Sequence, residues 1–293
     1  MLPDHLINDL RYMEIYTGRR FPNLRAGSYR SRMRGAGFDF DEHRAYRPGD
    51  DVRRIDWNVT ARLNAPFVRE THAERELNVM IAVDVSRSMM LGTGKYSKRE
   101  IQLLLAGCLV FSSLSDQINT GFLSFSNQIH SFYPPRRNRV QAWRFLEQLW
   151  AMEPPAGQTQ LLSAVRHLDS HFRQEGVVFL LSDFLTAENL ADSRELKILA
   201  SKHDIIAVVI EDAAELDLPQ GNSSIELMDL ETGLRRRVGL GKSQRASYAA
   251  AMQQRRAQLV DAFYRVPMDY VFVRSDERAV ESLLNLFAVR RRM

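Results

Sequence analysis

One cysteine, Cys108, in 293 residues excludes an internal disulfide, and its place on an apolar helical stripe with Ile101 and Leu104 makes it a small core residue rather than a reactive thiol. Nowhere does an uncharged apolar run approach ~20 residues, so no membrane-spanning helix is expected. The opening "MLPDHLINDLRYMEIY" carries acids and lacks the long apolar region of a secretory signal. A soluble, cytoplasmic chain is therefore expected. Excess charge of one sign is also missing: 40 Lys and Arg face 36 Asp and Glu, for a net charge of +4. The arginines are interleaved with acids, as on a salt-bridged surface, which leaves nucleic-acid binding a minor reading.

Several catalytic signatures are missing too. "LGTGKYS" invites a phosphate-loop reading, but Lys95 is followed by Tyr96 and the earlier glycine position is Met89. His167 and His171 stand four apart on an expected helix, yet no Glu follows His167 as in zinc proteases. They flank a stripe of Leu161, Val165, Leu168 and Phe172, so half-buried or surface histidines are the simpler account. There is no G-x-S-x-G elbow for acyl transfer.

What remains is a regular α/β pattern. At this length the chain is one large domain or two modest ones, able to bury about three quarters of its unfolded surface. Apolar positions predict a helix over 2–13, and Gly- and Arg-rich sequence over 17–37 suggests loop. Short extended pieces such as "FVRET" flank the turn "RPGDD". From Leu77 onward, strands apolar at both parities alternate with amphipathic helices. The strands are Leu77–Val83, "INTGFLSFS", "IHSFY", "GVVFLLSD", "DIIAVVI" and "MDYVFV"; helices fall near 95–116, 138–150, 161–174, 188–202, 244–265 and from the last strand to Arg290. Such alternation predicts a doubly wound, mainly parallel sheet covered on both faces. The expected division is an N-terminal helix with a small β-rich leader over 1–75, then an α/β domain over 76–293 with a hairpin insert near 219–242.

Ligands of such sheets bind at the carboxyl edge, beside the point where the winding reverses. There "LNVMIAVDVSRSMM" delivers Asp84, Ser86 and Ser88 at alternate positions. A lone carboxylate at a sheet edge is costly unless solvated, paired or metal-bound. "VVFLLSDF" ends in Asp183 at the same edge, and "GQTQLLSAV" presents Thr159 just before a helix. Five oxygens of this hard type suit Mg²⁺, Mn²⁺ or Ca²⁺ rather than zinc. The simpler alternative is a helix cap followed by polar loop residues, since Asp and Ser are preferred caps.

"DVSRS", a Gly-containing loop with a threonine, and a strand ending in "SD" together resemble the metal-ion-dependent adhesion site of von Willebrand factor A domains. The resemblance implies that Ser86, Ser88 and Thr159 bind the cation directly, while Asp84 and Asp183 act mostly through water. It also implies an open coordination position filled by a partner's carboxylate, and a last helix, from about Glu277, that shifts on ligation. "FDFDEHRAYRPGDDVRRIDWNVTARLNAPFVRE", with "LMDLETGLRRRV" and "LLNLFAVRRR", is similar to a bacterial family known only as domain of unknown function 58. That family joins such a leader to a von Willebrand A-like half, sometimes behind membrane helices. It often accompanies MoxR-type AAA+ ATPases, which are the partner this resemblance implies.

The function expected is therefore a non-enzymatic, metal-dependent protein-interaction module. A metal-assisted, phosphatase-like hydrolase is the alternative, weakened because Ser86 stands where an aspartyl-intermediate mechanism wants a second carboxylate. In "RPGDDVRRIDW" the acids Asp50, Asp51 and Asp56 beside Arg47, Arg53 and Arg54 suggest a turn scaffold with Trp57 packed against it. A partner surface is the other reading there. The tail Arg290, Arg291 and Arg292 fits cations at a helix C-terminus.

Overall fold

The structure, a computed structural model, describes residues 2–20, 42–48, 50–63, 65–70, 77–155, 157–221, 223–230, 233–275 and 279–290. Most of the loop expected over 17–37, together with Glu277, Arg291 and Arg292, lies outside them. The chain forms two compact units, one of residues 33–76 and one of residues 1–32 with 77–293.

In the smaller unit, strand β1 (Glu42–Ala45) pairs antiparallel with β2 (Phe67–Glu70), and a helix α2 (Trp57–Leu63) lies between them in sequence. The acids of "RPGDDVRRIDW" close its turns. Asp50 accepts the Arg47 amide at 2.8 Å, Asp51 the Arg53 amide at 3.0 Å, and Asp56 the amides of Asn58 and Val59 at the start of α2. The scaffold reading of these acids matches the geometry, whereas Trp57, expected to pack against that scaffold, is 68% exposed. It occupies the first position of a short helix that buries no residue.

The larger unit is built on a six-stranded sheet. Its strands are β3 (Asn78–Asp84), β4 (Asn119–Phe125), β5 (Ile129–Arg136), β6 (Gly176–Ser182), β7 (Asp204–Glu211) and β10 (Asp269–Arg274), in the order β10-β7-β6-β3-β4-β5. All pairings are parallel except that of the edge strand β5. Every residue of β3 and β6 is buried, which explains why both parities are apolar. One face, carrying Met80, Ala82, Val178 and Leu180, packs under α5 (Leu161–His171), α6 (Arg194–Lys202) and α8 (Lys242–Arg265). The other packs under α3 (Lys98–Ser115), α4 (Arg139–Ala151), where Phe122 stacks on Phe145 at 4.4 Å, and α9 (Ala279–Arg290), where Phe179 meets Phe287. A short helix α7 (Ala213–Leu216) follows β7, and strands β8 (Ser224–Met228) and β9 (Arg235–Gly239) form the expected hairpin. Each fully buried Val, Leu or Ile contributes roughly 1.5–3 kcal/mol.

The sequence groups the first helix with the leader, but α1 (Asp4–Arg20) packs on α3 of the larger unit. Leu6 and Leu10 are fully buried there. His5 meets Glu100 at 3.2 Å, Tyr96 donates to Asp9 and Arg139 pairs with Glu14 at 2.6 Å. Gly107 of α3 permits the close approach: a Cβ there would lie 2.3 Å from Leu10 Cδ2. Cys108, beside it, is buried, and burial pushes its thiol up to about 12. It is the inert core residue the sequence suggests.

Candidate metal centre

The carboxyl edge of the sheet gathers four segments. Asp84 ends β3, and its fully buried carboxylate accepts the Ser86 amide on Oδ1 at 2.9 Å and the Ser182 hydroxyl on Oδ2 at 2.6 Å. The chain then enters one 3₁₀ turn, Arg87–Met90, for which Ser86 stands at the N-cap without making a side-chain cap bond. Its hydroxyl instead lies 2.9 Å from that of Ser88. The capping alternative thus fails for Ser86, and two buried hydroxyls face each other above Asp84. From α3, the Gln102 amide donates to the carbonyls of Asp84 (2.9 Å) and Leu181 (3.1 Å), pinning the ends of the two central strands.

Asp183 follows β6 directly. Its Oδ1 accepts the Leu185 amide at 3.0 Å, and its Oδ2 accepts the Lys98 ammonium at 2.7 Å. Phe184 next to it has φ +53, a left-handed backbone uncommon for a bulky residue, and its amide donates to the Ser182 hydroxyl. Thr159 is buried in the loop before α5. Its carbonyl accepts the Thr186 hydroxyl at 3.0 Å, and the next amide, Gln160, donates to Ser126 at the end of β4. The structure therefore joins Asp84, Ser86 and Ser88 in one hydrogen-bonded group. It sets Asp183 near enough to act electrostatically on that group, and it fastens Thr159 through its backbone to the Asp183 loop.

Electrostatics mark the place. Burial, and then the negative charge of Asp183, push the Asp84 carboxyl up to about 7, against the opposing hydrogen bonds from Ser182 and Ser86. Burial alone would lower the pKa of Lys98, but Asp183 and Glu215, the latter at 2.6 Å, outweigh it and hold the ammonium charged. Among the described residues no three His, Cys, Asp or Glu side chains cluster as a metal site. The donor set is instead two carboxylates with hydroxyls, a hard-oxygen chemistry that fits Mg²⁺, Mn²⁺ or Ca²⁺. The repulsion between Asp84 and Asp183 is what such a cation would relieve.

The residues missed from sequence are Ser182, Gln102, Lys98 and Glu215. One signal was available for Lys98: it opens a helix, where an acid suits the dipole and a base opposes it. His167 and His171 stack on each other at 4.0 Å beside Phe132, half-buried and exposed respectively, as surface histidines do.

A buried parallel sheet, an antiparallel edge strand, helices on both faces and a polar group at the carboxyl edge define a doubly wound, mainly parallel α/β protein. The chain belongs to the family described as "Protein of unknown function DUF58", whose sequence profile matches residues 42–258. An uncharacterized protein of Mycobacterium tuberculosis, Rv1480, is 29% identical over 285 residues, covering 97% of this chain and 89% of that one. Similar solved structures include the conserved hypothetical protein BatB of Bacteroides thetaiotaomicron, at 16% identity and TM-score 0.48 over 74% of this chain and all of that one. The SpRpn10 VWA domain is similar at 14% identity and TM-score 0.40, over 72% and 93%. An aerotolerance-related membrane protein of Bacteroides fragilis is similar at 18% identity and TM-score 0.47, over 74% and 100%. Among the described residues no helix is long and apolar enough to cross a membrane.

Proposed function

We propose that this chain is a metal-dependent protein-binding module, acting in the cytoplasm without catalysis of its own. The observation that supports it is the buried group of Asp84, Ser86 and Ser88 beside Asp183, with Thr159 on the adjoining loop. In this reading Ser86, Ser88 and Thr159 hold a divalent cation, Mg²⁺ or else Mn²⁺ or Ca²⁺, and Asp84 and Asp183 complete its surroundings. A bound cation would supply an electrophilic position for an aspartate or glutamate of a partner protein. The neutral hydroxyls leave that position attractive to an anion, while Ser182 keeps the Asp84 carboxylate oriented and Gln102 pins the strand ends that carry it. A MoxR-type AAA+ ATPase is the partner proposed, in assembly or quality control, on the strength of the family resemblance. Pulldown from a lysate with and without EDTA, comparing the native chain with Ser86→Ala, tests the reading. Capture of the ATPase by the native chain alone, and only with metal, supports it; capture indifferent to EDTA sinks it.

A further inference from the structure

The least expected group at this edge is Lys98. Its side chain is 0% exposed, and it occupies the first turn of α3, where the helix's own amides already present positive potential. A charged ammonium persists in such surroundings only when paired and hydrogen-bonded. Its two partners come from distant segments: Asp183 after β6 and Glu215 in α7. Glu215 is itself fixed, because its other carboxylate oxygen accepts the Asp212 amide at 3.0 Å.

We propose that Lys98 is a built-in counter-charge that sets how tightly the centre holds its divalent ion. This deepens the metal-centre reading and rests on it. With Oδ1 of Asp183 on the Leu185 amide and Oδ2 on Lys98, both oxygens of that carboxylate are already engaged. A divalent ion drawing on Asp183 shares its charge with an ammonium and is repelled by that ammonium where little water screens the two. Glu215 moderates the effect by taking part of the lysine's charge. Lys98 thus keeps the edge stable without an ion, at the expense of affinity for one. The centre becomes one that loads and unloads with ion supply instead of holding its cation permanently.

Calorimetric titration of the full chain with MgCl₂ and MnCl₂ tests this. Lys98→Met is expected to bind at least ~10-fold more tightly than the native chain, as loss of a close like charge implies. Glu215→Gln, with a part-exposed side chain, is expected to bind several-fold more weakly because Lys98 then bears wholly on Asp183. Lys95→Met removes an exposed lysine three positions earlier and measures the effect of net charge alone; it is expected to change little. Should Lys98→Met not fold, the Glu215→Gln and Lys95→Met pair still decides. Native-level affinity in both Lys98→Met and Glu215→Gln overturns the role of Lys98 and leaves the metal centre standing. No ion bound by any of the four proteins overturns the metal centre and this inference with it. Binding seen in Lys98→Met but not in the native chain supports both.

Discussion

Thr93 and Asp212, 119 positions apart, are joined twice: the threonine amide donates to one carboxylate oxygen at 3.0 Å and its hydroxyl to the other. Ser275, just past β10, donates to the same carboxylate at 2.7 Å, and the Ala214 amide completes the set. Asp212 is buried, and although burial raises its pKa, these donors outweigh that and hold it below the usual carboxylate range. "LGTGKYS", which looked like a phosphate loop, is thus a strap tying the start of α3 to the ends of β7 and β10.

Replacing Asp212 by Ala leaves four donors short of their acceptor. Losing a charged, multiply bonded partner of this kind costs about 2–4 kcal/mol. Urea unfolding monitored by circular dichroism is expected to show that loss. Thr93→Val, which removes one hydroxyl, is expected to lose only about 1 kcal/mol.

The raised pKa of Asp84 makes stability depend on pH when no divalent ion is present. Its folded value of about 7 exceeds the ordinary 3.8, so the folded protein holds a proton that the unfolded chain releases between these values. The contribution favours folding below pH 4 and disappears as pH rises through 7. His203 works oppositely: burial, foremost, lowers it to about 4, so its part of the stability is lost as pH falls from 6.5 toward 4. Subtracting the melting profile of Asp84→Asn from that of the native chain in EDTA isolates the first effect. The difference is expected to decline from pH 5 to 8, and added MgCl₂ is expected to reverse its sign at the alkaline end. A flat difference would show that Asp84 is ionised throughout.

At the opposite edge, Arg290 closes α9 against the sheet. Its guanidinium is buried, bonded to Asp204 at the start of β7 and 3.2 Å from Asp269 at the start of β10. It is therefore more than a cation at a helix end, as its place in an arginine tail suggested. Arg290→Met removes the buried cation that faces Asp204 and Asp269 and is expected to cost about 3–5 kcal/mol in chemical denaturation. Metal affinity at the far edge is expected to stay at the native value.

How much of this was legible beforehand follows from the range of each interaction. Strands buried on both faces announce themselves by being apolar at both parities, and β3, β6 and β7 fell where expected. Asp84, Ser86 and Ser88 were legible because their spacing is local. The helix expected from 188 begins only at Arg194, capped by Ser193, because Glu188 turns aside to accept the Leu162 amide and the Thr186 hydroxyl. Lys98 and Glu215 could not be paired from sequence, since 117 positions separate them. The stripe of α1 shows that it buries Leu6 and Leu10, yet no periodicity says against which helix. Ser182 was hidden for a related reason: one serine at the end of an apolar strand looks like its terminus, while its value as a donor depends on Asp84, 98 positions earlier.

The seat of α1 on Gly107 carries a warning for anyone trimming the protein. Cutting away the first twenty residues would bare a greasy furrow along α3, shaped for leucines that no longer exist. Shortened versions are then prone to clump, and a loss of partner capture by them would report stickiness before it reported anything about recognition.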